Sequence, residues 1–131
     1  VPALEQMASI LADIGDVSRL EPVAQRLLHE APKNGWAHYY SATLFFLQGR
    51  PVAALQAARN AVALDPTNAK AHNLIGASLA ESGQTDAART AFETSLRYDP
   101  REPGTYANLA TLELTIDPSN QSARAALNSI R

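Results

Sequence analysis

Apolar residues recur at intervals of three and four along the whole chain, in stretches of about a dozen residues. This spacing places the apolar side chains of each stretch on one face of an amphipathic α-helix. The stretches are separated by Gly, Pro, Asn and Asp, the residue types that interrupt helices, and they leave no room for a sheet. The pattern predicts eight helices, at about residues 3–14, 20–30, 34–48, 52–64, 69–81, 86–97, 103–116 and 119–130.

The interrupting residues return at a fixed interval of 34 residues. Such a period indicates one helix–turn–helix unit that is repeated along the chain. The residues that set the period are Gly15, Gly49 and Gly83 within the units, and Pro32, Pro66 and Pro100 at their ends. The repeats run over about residues 1–34, 35–68, 69–102 and 103–131.

The third copy has the most regular pattern of small, aromatic and branched positions. The residues that carry the pattern are His72, Ile75, Gly76 and Leu79 in its first helix, then Ala88, Phe92 and Pro100. In this period and spacing the chain resembles the tetratricopeptide repeat family. The fourth copy begins with the same pattern and then loses it, as terminal repeats commonly do.

The resemblance implies an all-α fold, an α-solenoid of four antiparallel helix hairpins wound into a right-handed superhelix. The first helix of each hairpin would line a concave groove. A single hairpin cannot bury its apolar face alone, so we expect one domain over residues 1–131 that is stabilised by stacking. Because the chain starts at Val1 in mid-pattern, we expect it to be a fragment of a longer protein.

Three helix starts need a specific prediction. Pro22 would clash with an earlier carbonyl group inside a helix, so we expect the second helix to begin late, near Leu20 or Glu21. Thr85 is a candidate N-cap of the sixth helix. In the fourth repeat Asp117 is a candidate N-cap, with Pro118 as the first helical residue.

Composition excludes several classes of site. The net charge of −2 supplies no basic field for nucleic acid, and the absence of cysteine excludes disulfides and thiolate metal sites. No apolar run reaches the ~20 residues that span a bilayer. His38 and His72 lie one repeat apart without a third ligand, so we expect structural roles and neither metal nor cofactor. Nucleophile motifs and phosphate loops are absent too, so we predict no enzyme, and no compartment is indicated.

Five of the eight aromatic residues lie between residues 36 and 46. Two interpretations remain open: the rings fill a bulky interior, or they form an apolar floor for a partner's side chains. We favour the floor, because the small residues of the same helix already occupy the close-packing face. The candidate partner-binding residues on this stripe are Trp36, Tyr39, Tyr40, Thr43 and Phe46, whereas Phe45 is expected in the core.

The same stripe is polar in the later repeats. Lys70, Asn73 and Asn108 are further candidates for partner binding, since an amide can pair with both groups of an extended peptide. The first repeat contributes an acidic end, with Glu5, Gln6, Ser9 and Asp13. Some relatives clamp a C-terminal carboxylate with lysine at the position of Glu5, so the resemblance argues against that ligand here.

The leading functional hypothesis is a non-catalytic scaffold that binds a peptide or helical segment of a protein partner in the groove. The alternative is a structural spacer or a homo-oligomer formed through terminal helices, for which Ala123, Leu127 and Ile130 are candidates. RNA-binding helical repeats are a third class, which the net charge disfavours.

Overall fold

Residues 2–130 are described by the computed structural model, and within this range the chain forms eight helices and no strand. The predicted all-α class of consecutive helix hairpins is confirmed. In chain order the helices are α1 (Pro2–Ile14), α2 (Val17–Glu30), α3 (Gly35–Leu47), α4 (Pro51–Leu64), α5 (Ala69–Glu81), α6 (Thr85–Tyr98), α7 (Pro103–Ile116) and α8 (Gln121–Ile130).

The helices form two compact units, which meet in the sequence between Thr67 and Asn68. This point lies one residue before the predicted limit between the second and third repeats, at residues 68 and 69. In the first unit α1 packs on α2 and α3 on α4, and the hairpins are joined through α2–α3 and α1–α3 contacts. The second unit repeats this arrangement with α5 to α8, joined through α6–α7 and α5–α7 contacts. The single domain over residues 1–131 stays a prediction.

Left-handed glycines make the turns inside the first three hairpins. Gly15, Gly49 and Gly83 have φ angles of +70°, +73° and +80°, which side chains rarely adopt. After Gly15 the N–H of Asp16 donates to the carbonyl oxygen of Leu11 at 2.9 Å, the bond that closes a helix in a Schellman motif. Glycine is therefore the residue that permits the left-handed turn after α1, α3 and α5.

The late start predicted for the second helix is wrong. Helix α2 begins at Val17, and the Asp16 carboxylate caps it by accepting from the N–H of Arg19 at 3.2 Å. Pro22 lies inside the helix on its exposed side, which costs about 3 kcal/mol. The early turn buries Leu20 completely, worth about 1.5–3 kcal/mol, and the cap adds about 1 kcal/mol. Burial and capping therefore offset the proline.

The N-cap predicted at Thr85 is also wrong, because Thr85 is the first residue of α6 and Gln84 occupies the cap position. The N–H of Gln84 closes the preceding turn by donating to the carbonyl oxygen of Leu79 at 2.9 Å. The turn consists of Ser82, Gly83 and Gln84, and the residue directly after the left-handed glycine is the cap, as Asp16 is after Gly15. Turn geometry thus overrides the capping preference of threonine.

The last hairpin departs from the prediction at both predicted residues. Asp117 ends α7 in an extended conformation, and its carboxylate accepts from the N–H and hydroxyl of Ser119 at 3.0 and 2.6 Å. These hydrogen bonds lower the pKa of the Asp117 carboxyl group. The helix α8 begins only at Gln121, so Pro118 is not helical, and Asn120 is the cap that accepts from the N–H of Ala123 at 3.0 Å. The predicted N-cap at Asp117 is therefore wrong.

The physical reason is that Asp117-Pro118 behaves like the links between hairpins. Asp65-Pro66 and Asp99-Pro100 also end a helix in an extended conformation, with the Asp side chain accepting from the backbone two residues later. The residue before proline is pushed out of the helical region, so the chain needs two further residues before a helix can restart.

Each unit has its own core. In the second unit Phe92 is almost completely buried and packs over Gly76 in the middle of α5. Beside it, the Ser95 hydroxyl donates to the carbonyl oxygen of Ala69, and the Thr105 hydroxyl donates to Ser95, both at 2.8 Å. In the first unit a buried cluster between α1, α2 and α3 contains Ala8, Leu11, Leu20, Ala24, Leu27, Ala37, Tyr40 and Leu44.

Replacing Gly76 with Ala is expected to destabilise the protein, although alanine favours a helix. The added Cβ would lie 2.5 Å from two ring carbons of Phe92, whose ring is enclosed. We expect Gly76→Ala to lower the free energy of unfolding by about 1–3 kcal/mol in urea titrations. Leucine at position 92 has a shorter side chain than phenylalanine and leaves room for the added Cβ. Gly76→Ala should therefore lower the free energy of unfolding less in a Phe92→Leu background than in the wild type. An unchanged or raised stability of the single variant would contradict this packing.

Candidate functional site

Helices α1 and α3 lie side by side in the first unit and border an open cleft of about 300 Å³. We call it the α1–α3 cleft. The helix α1 contributes three polar residues and α3 two aromatic rings. The residues that line it are Glu5, Gln6, Ser9, Trp36 and Tyr40.

The aromatic side of the cleft is a packed group of three rings. The Trp36 ring lies 5.3 Å from that of Tyr39, edge to face, and 6.0 Å from that of Tyr40 in a stacked arrangement. The two tyrosine rings meet edge to face at 5.1 Å. Such pairs add stability beyond their buried area. The start of α3 is fixed as well, because Asn34 caps it by accepting from the N–H of Trp36 at 2.9 Å.

The polar side of the cleft carries an oriented carboxylate. The amide Nδ2 of Asn34 donates to Glu5 Oε1 at 2.8 Å, which ties α1 to the start of α3. No Lys or Arg of residues 2–130 lies within ion-pair distance of Glu5. The helix α1 has Glu5 and Asp13 as its charged residues, and α3 has neither acidic side chains nor lysine or arginine. The surface of the two helices is therefore negative.

The predicted aromatic stripe has an interior and a surface side. Tyr40 belongs to the buried core, while Trp36 and Tyr39 pack against that core and remain partly exposed. The Thr43 hydroxyl donates to the carbonyl oxygen of Tyr39 at 3.0 Å, within the helix. Phe46 is half-buried near the end of α3. The structure brings Trp36, Tyr39 and Tyr40 together.

Phe45 differs from its predicted place in the core. Its ring is only half-buried, and the Arg50 guanidinium lies over the ring, 4.8 Å from the centroid. The long arginine side chain covers an apolar ring while its charge stays near water. The Arg50 guanidinium and the Phe45 ring thus form a cation–π contact.

The polar candidates of the later repeats lie in the second unit. Lys70 on α5 forms an ion pair with Glu102 at 3.4 Å. Asn108 on α7 donates from Nδ2 to Asn73 Oδ1 on α5 at 2.9 Å, so the two predicted amides are paired with each other. The pair leaves the NH₂ group of Asn73 and the carbonyl oxygen of Asn108 for other partners.

The three polar residues of α1 were not among the predicted partner-binding residues. The sequence does contain the signal for them, because the repeat interval relates Glu5 to Tyr39 and Ser9 to Thr43. The same helical stripe therefore continues from α3 to α1, with acidic and polar groups in place of rings.

A second cleft, of about 490 Å³, lies in the second unit between α6, α7 and α8 and was not predicted from the sequence. Ala126, which lies 34 residues after Phe92, is one of the residues that line it. At its edge Arg89 Nε donates to Glu113 Oε1 at 2.6 Å, which raises the pKa of the Arg89 guanidinium. Its apolar lining is formed by Tyr106, Leu109, Ala110, Ala123 and Ala126.

The two repeated histidines make ordinary structural contacts. His38 donates from Nε2 to the carbonyl oxygen of Pro32 at 2.7 Å, and the His72 ring stacks on Tyr98 at 5.4 Å. Among residues 2–130, no group of three His, Cys, Asp or Glu side chains is placed to hold a metal ion. None of the helices in this range is long and apolar enough to cross a membrane.

Solved structures share this fold. A mutant O-GlcNAc transferase from Thermobaculum terrenum matches 96% of the chain with a TM-score of 0.83 and 29% identity. The chain spans only 24% of that transferase. A thermophilic TPR protein from Thermus thermophilus matches 98% of the chain and 79% of its own length, with a TM-score of 0.79 and 18% identity.

A third solved structure is the first TPR of Spaghetti (RPAP3), bound to an HSP90 peptide. It matches 87% of this chain and 90% of its own length, with a TM-score of 0.74 and 18% identity. At this identity the likeness concerns the fold. The comparison with curated proteins finds no match.

Two family models, both described as tetratricopeptide repeat, match the sequence over residues 6–69 and 45–113. Together they cover the first three hairpins and most of α7, the region in which the 34-residue period and the left-handed turn glycines occur. By sequence and by fold, the chain belongs to the tetratricopeptide repeat family.

Proposed function

We propose that the chain is a non-catalytic scaffold that binds a peptide or helical segment of a protein partner along its first helices. Membership in the tetratricopeptide repeat family supports a protein-interaction role. The observation that carries the finer proposal is the α1–α3 cleft, where a rigid group of rings and a carboxylate meet. Aromatic side chains of this kind supply much contact area at a low cost in conformational entropy.

The amide pair in the second unit supports the same use. A hydrogen-bond donor on Asn73 and an acceptor on Asn108 are the two groups that a peptide unit of an extended partner requires. The pair itself fixes both side chains, so binding would cost little further side-chain entropy. Lys70 lies one turn before Asn73 on the same helix, where Glu102 pairs with its ammonium group.

The similar solved structures support a binding role, but they do not identify the ligand. The Spaghetti structure holds an HSP90 peptide, so this fold can present such a surface. Glu5 introduces a negative charge on the corresponding helices here, which disfavours a C-terminal carboxylate in the α1–α3 cleft. The transferase is matched over a quarter of its length, and we do not extend its activity to this chain.

The double variant Tyr39→Ala/Asn73→Ala should lose partner capture from a lysate while the protein remains folded. Loss of the Tyr39 ring contacts should cost about 1–2 kcal/mol of stability, which circular dichroism melting will show. The control Val52→Ala/Arg97→Ala alters exposed residues of α4 and α6 and should capture as the wild type does. Equal capture by the folded Tyr39→Ala/Asn73→Ala variant would exclude this surface as the binding site.

One observation favours self-association as a second function. Met7, Ile10 and Ile14 form an apolar stripe on α1 and are 51%, 57% and 67% exposed. The residues 34 positions after Met7 and Ile10 are Ser41 and Leu44, which are buried in α3. In the second repeat the helix face that contains Ser41 and Leu44 packs against the preceding hairpin. A hairpin of a second copy of the chain therefore fits the corresponding exposed stripe on α1.

Two of the three residues of α8 that motivated this alternative are less exposed than the stripe on α1. Ala123 is buried and Leu127 is half-buried, while the side chain of Ile130 lies outside the described residues.

Sedimentation velocity over a range of protein concentrations tests self-association. If α1 docks on a second copy, the wild type should sediment faster as its concentration approaches about 1 mM, as expected for weak association. Met7→Lys/Ile10→Lys should remain monomeric, whereas the control Val52→Lys, at a position 75% exposed on α4, should behave as the wild type. A strictly monomeric wild type would rule this function out.

A further inference from the structure

We propose that the α1–α3 cleft binds a cationic side chain, an arginine in preference to a lysine, of the partner peptide. This inference rests on the proposed scaffold function and adds the chemistry that the partner must present. It concerns the first unit alone, since all five lining residues lie on α1 and α3.

The first argument is the carboxylate of Glu5. Its Oε1 accepts a hydrogen bond from Asn34, which holds the carboxylate at the cleft without neutralising its charge. A carboxylate accepts several hydrogen bonds, so it can also receive donors from a guanidinium group. The side chains of Gln6 and Ser9 line the same wall and add neutral oxygen acceptors.

The second argument is the pair of rings that line the cleft together with these polar groups. The Trp36 and Tyr40 rings are inclined by only 28°, with centroids 6.0 Å apart, and Trp36 is the more exposed of the two. The face of a tryptophan ring attracts cations more strongly than other aromatic faces do. A planar guanidinium can stack on such a ring while it donates to a carboxylate, which an ammonium group cannot do equally well.

The third argument is the absence of competing positive charge on these helices. Across their described residues, α1 and α3 carry Glu5 and Asp13 and no lysine or arginine. The volume of about 300 Å³ lies at the lower end of ligand sites, which suits one side chain of a peptide. The cleft of the second unit differs, because there Glu113 is already paired with Arg89.

Trp36 is the single tryptophan of the chain, and it reports directly on this cleft. The probes are N-acetyl-arginine methylamide and its neutral isostere N-acetyl-citrulline methylamide. We would titrate each into the wild-type protein and follow the Trp36 indole N–H signal by NMR, with fluorescence as a second readout. The arginine probe should shift the signal at millimolar concentration and bind at least about fivefold more tightly than the citrulline probe.

Two variants decide whether the carboxylate is responsible. Glu5→Gln keeps an acceptor for Asn34 and should reduce arginine binding to the level of citrulline. Asp13→Asn removes the same charge elsewhere on α1, at an exposed position, and should bind arginine within a factor of about two of the wild type. Circular dichroism checks that both variants fold, and the comparison of the two probes on the wild type does not depend on either variant.

Equal shifts from the arginine and citrulline probes would overturn the inference. Undiminished arginine binding by Glu5→Gln would overturn it as well, because the Glu5 carboxylate would then not be responsible for binding. An equal loss in Asp13→Asn would also overturn it, because the effect would then depend on the general charge of the surface. These failures are separable from failure of the scaffold proposal. If Glu5→Gln captures the same partners as the wild type and Tyr39→Ala/Asn73→Ala captures none, the scaffold stands and the cationic ligand is wrong.

Discussion

The close packing of each first helix against its second helix decides which side chains can bind a partner. In α5 this packing requires a glycine, since the ring of Phe92 occupies the space over Gly76. In the second hairpin the equivalent positions hold small buried residues, Ala42 on α3 and Ala58 on α4. When one face of a first helix makes such contacts, a single stripe of its side chains remains exposed. The candidate site is formed by the residues of that stripe.

The helices follow from the sequence because periodicity and turn chemistry are local. The 34-residue interval and the left-handed glycines set most helix ends to within a residue or two. Where the predictions were wrong, the local preference of one residue was overridden either by tertiary burial or by the backbone geometry of its neighbours. Pro22 stays in α2 because Leu20 is buried, and Asp117 ends a helix because the proline after it enforces an extended backbone.

The candidate site was less accessible to prediction, because its parts come from different repeats. The clustering of aromatic residues in α3 can be read from the sequence, and the rings of Trp36, Tyr39 and Tyr40 do pack together. The hydrogen bond between Glu5 and Asn34 spans 29 positions and depends on how α1 packs against α3. The second cleft lies between three helices, α6, α7 and α8, and the periodicity of the sequence does not indicate such a space.

The central claim is that partners bind to the first helices of the hairpins. Its most direct test is to assign the backbone amide NMR spectrum and to add a partner captured by the wild-type protein. The account predicts that the largest shifts occur in α1, α3, α5 and α7. Shifts confined to α2, α4, α6 and α8 would contradict it, because those helices carry neither the aromatic cleft nor the amide pair.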